Sequence, residues 1–340
     1  MKLARQYFFE LNQPSRTHYI ARRQGYHGTT IGAMSLSSNL PRKIPYEPLL
    51  LPNISHVSPA YAYQHQHASE LSEAYVQRLA QELEDEILRV GSDKVIAFVA
   101  ETVVGATTGC VTAPKGYFKA MRAVCDRYGV LLIMDEIMSG VGRTGTFFAF
   151  EQEDVAPDIC TIGKGLGGGY APIAGILMNK RIVDVLRKGS GSFNNGYTYQ
   201  AHPVSTAIAL SVQTIIRRDH LVENCHRMGL VLERLLKETL ADCEFVGDIR
   251  GRGLFWGIEF VEDKVEKRPF EPQWGFGTKV QKRAFEMGVA IYPGMATVDG
   301  KRGDHVLVCP PYTVTEEELG VIVEVTKRAV EAESEVWEGR

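Results

Sequence analysis

The sequence predicts an α/β protein: a larger unit on a mainly parallel sheet, followed by a smaller C-terminal α/β unit. Three observations carry this. Strand-length apolar runs alternate with helical segments along the first two thirds of the chain. Two of those runs, "VIAFVA" (95–100) and "VLLIM" (130–134), are apolar throughout, as strands covered on both faces are. Past residue 218 the pattern changes to long helices flanking a strand segment.

The elements follow in order. From Ser69 to Val90, Leu71, Tyr75, Leu79, Leu83 and Ile87 recur on one helical face, and Gly91 supplies a stop. "KVIAFVAE" (94–101) is a buried strand ending in Glu101. "GYFKAMRAVCDRYG" (116–129) is a helix with Phe118, Met121, Val124 and Tyr128 on one face. "VLLIMDE" (130–136) is a second strand, ending in Asp135 and Glu136. "DICTIGK" (158–164) is a short third strand, "IAGILM" (173–178) a fourth, and 202–218 a helix. These make a large unit, 1–218. In the small unit, 219–340, residues 227–240 are helical and 244–260 form a turn and a strand. A closing helix starts at the capping box Thr315/Glu318 and buries Leu319, Ile322 and Val325.

Composition narrows the function. With 340 residues, a net charge of −3 and no run of Lys and Arg, neither nucleic acid nor an anionic membrane is expected as a partner. No apolar run approaches the roughly 20 residues that span a bilayer, and "MKLARQYFFELNQPSR" is too polar for a secretory signal. Six cysteines without a C-x-x-C pair suit reduced thiols in a cytoplasmic protein.

Ligands of parallel sheets bind at the carboxyl ends of the strands, where Glu101, Asp135 and Lys164 all fall. Two G-x-G-x-x-G matches, Gly140-Gly142-Gly145 and Gly163-Gly165-Gly168, open no helix. They are expected to be turns, so a nicotinamide dehydrogenase is the remotest alternative. Lys164 precedes glycine rather than Ser or Thr, which excludes a Walker A loop. His65 and His67 in "HQH" have no partner at ligand spacing, so no metal is expected. Most lysines are surface charges, but Lys164 ends an apolar strand between two glycines. Apolar surroundings favour the neutral amine, which attacks a carbonyl. Asp135, buried at its strand end, requires a cation. A Schiff-base lysine and an aspartate that keeps a ring nitrogen protonated are what pyridoxal 5'-phosphate demands.

These residues resemble the class III aminotransferases of the ornithine and ω-amino acid type, which have the pyridoxal-phosphate-dependent transferase fold type I. "LLIMDEIMSGVGRTGTFFAFEQEDVAPDICTIGKGLGGGYAPIAG" is similar to that family's signature block. The resemblance implies that Lys164 is the Schiff-base and proton-moving residue, Asp135 the partner of the pyridine nitrogen, and Ile137 the contact on one ring face. "GYHG" resembles the ring-stacking motif, making Tyr26 the plane on the other face and His27 a neighbour. "ETVVGATTG" places Glu101 close to the cofactor. "NGYTYQAHP" resembles the segment whose threonine, Thr198, reaches the phosphate in a partner subunit, so a homodimer is implied. "RGRGLFWGIEF" and "CPPYTVTEEEL" resemble the family's C-terminal unit.

The implied reaction moves an amino group from an amine or amino acid to a keto acid. Alternatives are a racemase, aminomutase or decarboxylase on the same scaffold, and a non-catalytic remnant. The remnant is raised by one departure. The family's phosphate-holding segment opens a helix that continues into residues like "MKLARQYF", where this sequence begins. Weak cofactor binding by 1–340, or an upstream segment, is the corresponding expectation. The carboxylate-receiving arginine implied before "CPP" falls nearest Arg302, with Lys301 competing and a plain surface role equally open. Arg252 in "RGRG" is open between functional and structural roles.

Overall fold

The computed structural model describes residues 1–339. Helix α1 (Lys2–Glu10) precedes β1 (His18–Arg22), and α2 (Ile31–Leu36) and α3 (Leu40–Lys43) lead to β2 (Ile54–Val57). Helices α4 (Ala62–His65) and α5 (Ser72–Val90) lead to β3 (Val95–Glu101). Helix α6 (Tyr117–Arg127) enters β4 (Leu131–Asp135), followed by β5 (Ile159–Ile162), β6 (Gly175–Met178), α7 (Lys180–Lys188) and α8 (Pro203–Arg218). The rest comprises α9 (Leu221–Leu240), β7 (Val246–Arg252), β8 (Phe255–Phe260), α10 (Phe276–Glu286), β9 (Tyr292–Met295), β10 (Asp304–Val308) and α11 (Glu316–Glu338).

The larger sheet runs β2-β1-β3-β4-β5-β6. Alternation along its strands explains its two covered faces. Ile20, Phe98, Leu132 and Met134 pack against α5 and α6, and Tyr19, Val99, Leu131 and Ile133 against α1 and α7. Helix α5 buries Tyr75, Leu79, Leu83 and Ile87, and Gly91 ends it at φ +101°. Leu71 does not join that face: it is the N-cap and lies exposed. The first five strands are parallel, but β6 pairs antiparallel with β5. A parallel return needs a crossover of a dozen residues or more, usually helical. Residues 163–174 hold only a one-turn 3-10 helix and turns, so the chain doubles back.

The smaller sheet is antiparallel, ordered β7-β8-β10-β9. Residues 244–260 form a two-stranded hairpin rather than one strand, because Gly253 takes φ +55° and turns the chain. Leu232, Leu236, Phe270, Val280, Leu319 and Val323 cover one face of this sheet. The other face meets segments that follow strands of the larger sheet, where Phe255 and Leu307 pack with Val103, Cys110 and Ala149. A Cβ on Gly257 would lie 2.2 Å from the Gly109 carbonyl oxygen, so only glycine admits this approach. Arg250 hooks across the same contact, donating from Nε to the Gly109 carbonyl at 2.8 Å and from Nη2 to the Thr108 carbonyl. It also pairs with Glu259, which accepts from Gln64 at 2.8 Å and from Tyr61. Arg252, the other arginine of "RGRG", pairs with Glu153 at 2.6 Å, a structural contact.

Candidate active site

Strand register assembles the centre. In parallel pairing Glu101 lies opposite Asp135, and Asp135 opposite Thr161, so three polar side chains form one row at the carboxyl ends of β3, β4 and β5. Glu101 is buried and accepts the backbone N–H groups of Tyr26 at 2.9 Å and Gly105 at 3.0 Å. Burial pushes its carboxyl above the ordinary range, against the opposing influence of His27 and with Asp135 adding to the rise. Asp135 is held by three donors: His27 Nδ1 at 2.9 Å, the Ile137 N–H at 3.1 Å and Thr161 Oγ1 at 3.3 Å. His27 Nε2 is buried with no hydrogen-bond partner among the described residues.

Tyr26 is half-buried, and the Arg42 guanidinium stands 5.3 Å from its ring centroid. Ile137 is also half-buried. A Cβ on Gly163 would come within 3.0 Å of Ile137 Cδ1, so this glycine leaves the isoleucine its space over the strand end. Lys164 corrects an expectation: it is not held against buried apolar surface but exposed. Its backbone takes φ +42°, a region uncommon for a side-chain-bearing residue. That bend carries the side chain off the line of β5. Lys164 has no hydrogen-bond or ion-pair partner among the described residues. The glycines behind it close a turn, with φ +57° at Gly168 and +83° at Gly169. Gln213 of α8 pins that turn, donating to the Leu166 carbonyl at 3.0 Å.

The remaining candidates lie apart from this row. Thr198 is exposed, between Tyr197 and Tyr199, each 70% exposed. Arg302 sits in the turn after β9, paired with Asp299 at 2.9 Å, and Lys301 is exposed beside it. No group able to hold a metal ion occurs among the described residues, His65 and His67 included. Gly142 and Gly145 lie in turns at φ +93° and +90°, followed only by a one-turn 3-10 helix at Ala149–Glu153 that neither glycine opens.

A cleft of about 1170 Å³ opens between α1 and the sheet, with Asp135, His27 and Thr161 on its wall together with Met1 and Gln6 of the α1 region. The side chains fit pyridoxal phosphate. A carboxylate fixed by three donors, a buried imidazole nitrogen without a partner and an unpaired primary amine stand at neighbouring strand ends. Sequence reasoning missed Thr161, although it points to the same side as Asp135 by register, and saw His27 only as a neighbour. Arg42 carried no signal.

Comparison with known proteins agrees with this chemistry. The sequence model described as aminotransferase class-III matches residues 1–330. An uncharacterized aminotransferase of Schizosaccharomyces pombe is 53% identical over 330 residues, covering 97% of this chain and 72% of that protein. A chloroplastic gamma aminobutyrate transaminase 3 of Solanum lycopersicum is 34% identical, covering 99% of this chain and 64% of the relative. The crystal structure of an amine transaminase from an uncultivated Pseudomonas species, in the PLP-bound form, superimposes with a TM-score of 0.90 at 31% identity. It covers 97% of this chain and 73% of that one. No described helix is long and apolar enough to cross a membrane.

Proposed function

The chain belongs to the class-III aminotransferase family, and from that premise we propose that it moves an amino group from an amine or amino acid to a keto acid with Lys164 at the reacting centre. The carrying observation is the unpaired amine of Lys164 one strand away from the Asp135–His27 pair. When bound, pyridoxal phosphate supplies a carbonyl that captures amines and a protonated ring nitrogen that takes up electrons. Asp135 would keep that nitrogen protonated, and His27, the Ile137 N–H and Thr161 orient its carboxylate. Ile137 and Tyr26 would hold the ring between them, with Arg42 against Tyr26. Lys164 Nζ would serve as the base that holds the proton taken from the donor carbon.

A homodimer with Thr198 serving the partner's phosphate fits the exposed apolar face. Tyr170, Tyr197, Tyr199, Val204 and Leu210 all stand open there, a patch of the kind that marks association. The names of the relatives support an ω-amine or ω-amino acid donor, and Arg302 would receive its carboxylate by leaving Asp299. The chain is assigned as two units, 1–218 and 219–340, in keeping with the two sheets. The six free cysteines favour the cytoplasm.

The test is to titrate residues 1–340 with pyridoxal phosphate, reduce with borohydride and map the modified peptide. The same protein is then assayed for amino transfer from ω-amines to keto acids. Modification at Lys164, and loss of transfer in Lys164→Ala, are expected. Modification elsewhere, or transfer that survives Lys164→Ala, would overturn the assignment.

A further inference from the structure

Two left-handed backbone turns lie against each other beside the reacting centre. Val141 takes φ +57° and Lys164 φ +42°. For a β-branched residue such an angle is a true outlier, and it persists only where the surroundings over-determine it. Gly165 brings the two turns together: a Cβ there would stand 3.4 Å from Val141 Cβ and 3.3 Å from Tyr312 Oη. Tyr312 lies between β10 and α11, and its hydroxyl donates to the Val141 carbonyl at 2.9 Å. Its ring also covers Gly142, where a Cβ would come within 3.4 Å of Tyr312 Cε2.

Tyr312 is itself fixed. Asn224 of α9 donates to the Tyr312 carbonyl at 2.7 Å and the Val314 carbonyl at 3.2 Å. The Arg143 guanidinium stands 4.5 Å from the Tyr312 ring centroid and donates to the Pro310 carbonyl at 2.6 Å. Burial pushes the Tyr312 phenol up to about 12, so the hydroxyl keeps its proton at neutral pH and remains a donor. From the other side, Gln213 of α8 donates to the Leu166 carbonyl at 3.0 Å and the Gly165 carbonyl at 3.3 Å. The turn that carries Lys164 is thus gripped from two directions, while the amine at its tip stays free.

We propose that Tyr312 is a positioning residue for Lys164: its hydroxyl holds the strained Val141 turn in place, and that turn backs the glycine that follows the lysine. The proposal rests on Lys164 being the reacting amine, as assigned above. Moving a proton at a carbon demands a base of fixed placement, and a lysine has four flexible carbons between its amine and its backbone. Placement therefore begins at the backbone, where the left-handed angle of Lys164 sets the direction in which the side chain leaves. Tyr312 acts on that angle through Val141 and Gly165 rather than on the amine. The same contact joins the segment after β10 to the end of β5, so the seating of that segment is felt at Lys164.

The test compares the unaltered chain with Tyr312→Phe and Val280→Ala. The first substitution keeps the ring and removes only the hydroxyl. The second leaves a cavity in the buried face of α10 and serves as the purely structural comparison. Hydrogen exchange is followed at Gly142, Gly145, Leu166 and Gly167, whose N–H groups donate within the two turns. In Tyr312→Phe these amides should exchange about fivefold faster, the factor that one ordinary hydrogen bond is worth. Val280→Ala should leave them unchanged. Pyridoxal phosphate and borohydride should modify Lys164 about fivefold more slowly in Tyr312→Phe, with the other lysines unaffected. Amino transfer should lose kcat by a similar factor and keep the KM of the donor. Unchanged exchange in Tyr312→Phe, an equal rise in Val280→Ala, or faster exchange with unaltered labelling of Lys164 would overturn the proposal. If the unaltered chain is modified at a lysine other than Lys164, the assigned reaction fails, and the exchange comparison still decides whether Tyr312 holds the turn.

Discussion

Replacing Asp304 with asparagine is expected to remove a pH-dependent weakness of the smaller unit. Asp304 opens β10 with 2% of its surface exposed. It faces the start of α10, where the Phe276 and Gly277 N–H groups point at it, a favourable place for a carboxylate. Yet Oδ2 has no hydrogen-bond partner among the described residues, and burial pushes the carboxyl from its ordinary 3.8 to about 6. A folded-state pKa above the unfolded one means that folding takes up a proton. The stability from this group is complete below about pH 4 and is lost as pH rises through about 6. Two pH units at ~1.4 kcal/mol each amount to about 3 kcal/mol. An asparagine at this position cannot titrate but keeps an oxygen for the two N–H groups. Urea unfolding of both proteins across about pH 3 to 8 should show the wild type losing about 3 kcal/mol relative to Asp304→Asn, the loss running between about pH 4 and 6 and centred near pH 5. Parallel stability curves over that range would refute the reasoning.

Three other outcomes are expected. His27→Phe removes the donor to Asp135 at 2.9 Å; a hydrogen bond to a charged group is worth about 1.5–3 kcal/mol, so amino transfer should fall roughly 10- to 100-fold with an unchanged circular dichroism spectrum. Gly257→Ala forces a methyl to 2.2 Å from the Gly109 carbonyl; a destabilisation of about 1–3 kcal/mol should appear in thermal melts. Leu210→Glu puts a charge into the exposed face of α8, where Leu210 is 70% exposed, and light scattering should show monomers where the unaltered chain gives dimers.

The strand-end acids were legible because an uninterrupted apolar run that stops at an acid leaves few other readings: Glu101 and Asp135 fall where β3 and β4 end. Long-range partners were not. His27 and Asp135 are 108 residues apart in sequence, and only the order β1-β3-β4 brings them together. The exposure of Lys164 was hidden for a related reason. It depends on a left-handed backbone angle, and Gly163 is made necessary by an Ile137 from another strand end. Strand β9, "YPGM", carries Pro and Gly, which weaken strands; it forms at the sheet edge, where Pro293 deprives no outer neighbour of a donor. The antiparallel β6 followed from the shortness of its connection, which outweighed the parallel pattern before it.

The hooks of Arg250 and the bare backbone of Gly257 bear on how this chain could be divided. By sequence, the loop at 105–111 belongs to the larger unit; by contact, it is the seat of the smaller one. A fragment cut at 218/219 would leave Phe255 and Leu307 facing water and Arg250 without two of its carbonyl acceptors. The smaller sheet and its helices are therefore not a portable cassette. Recombining it with another scaffold would require carrying the loop along, so substitutions on the two sides of the seam are expected to be inherited together.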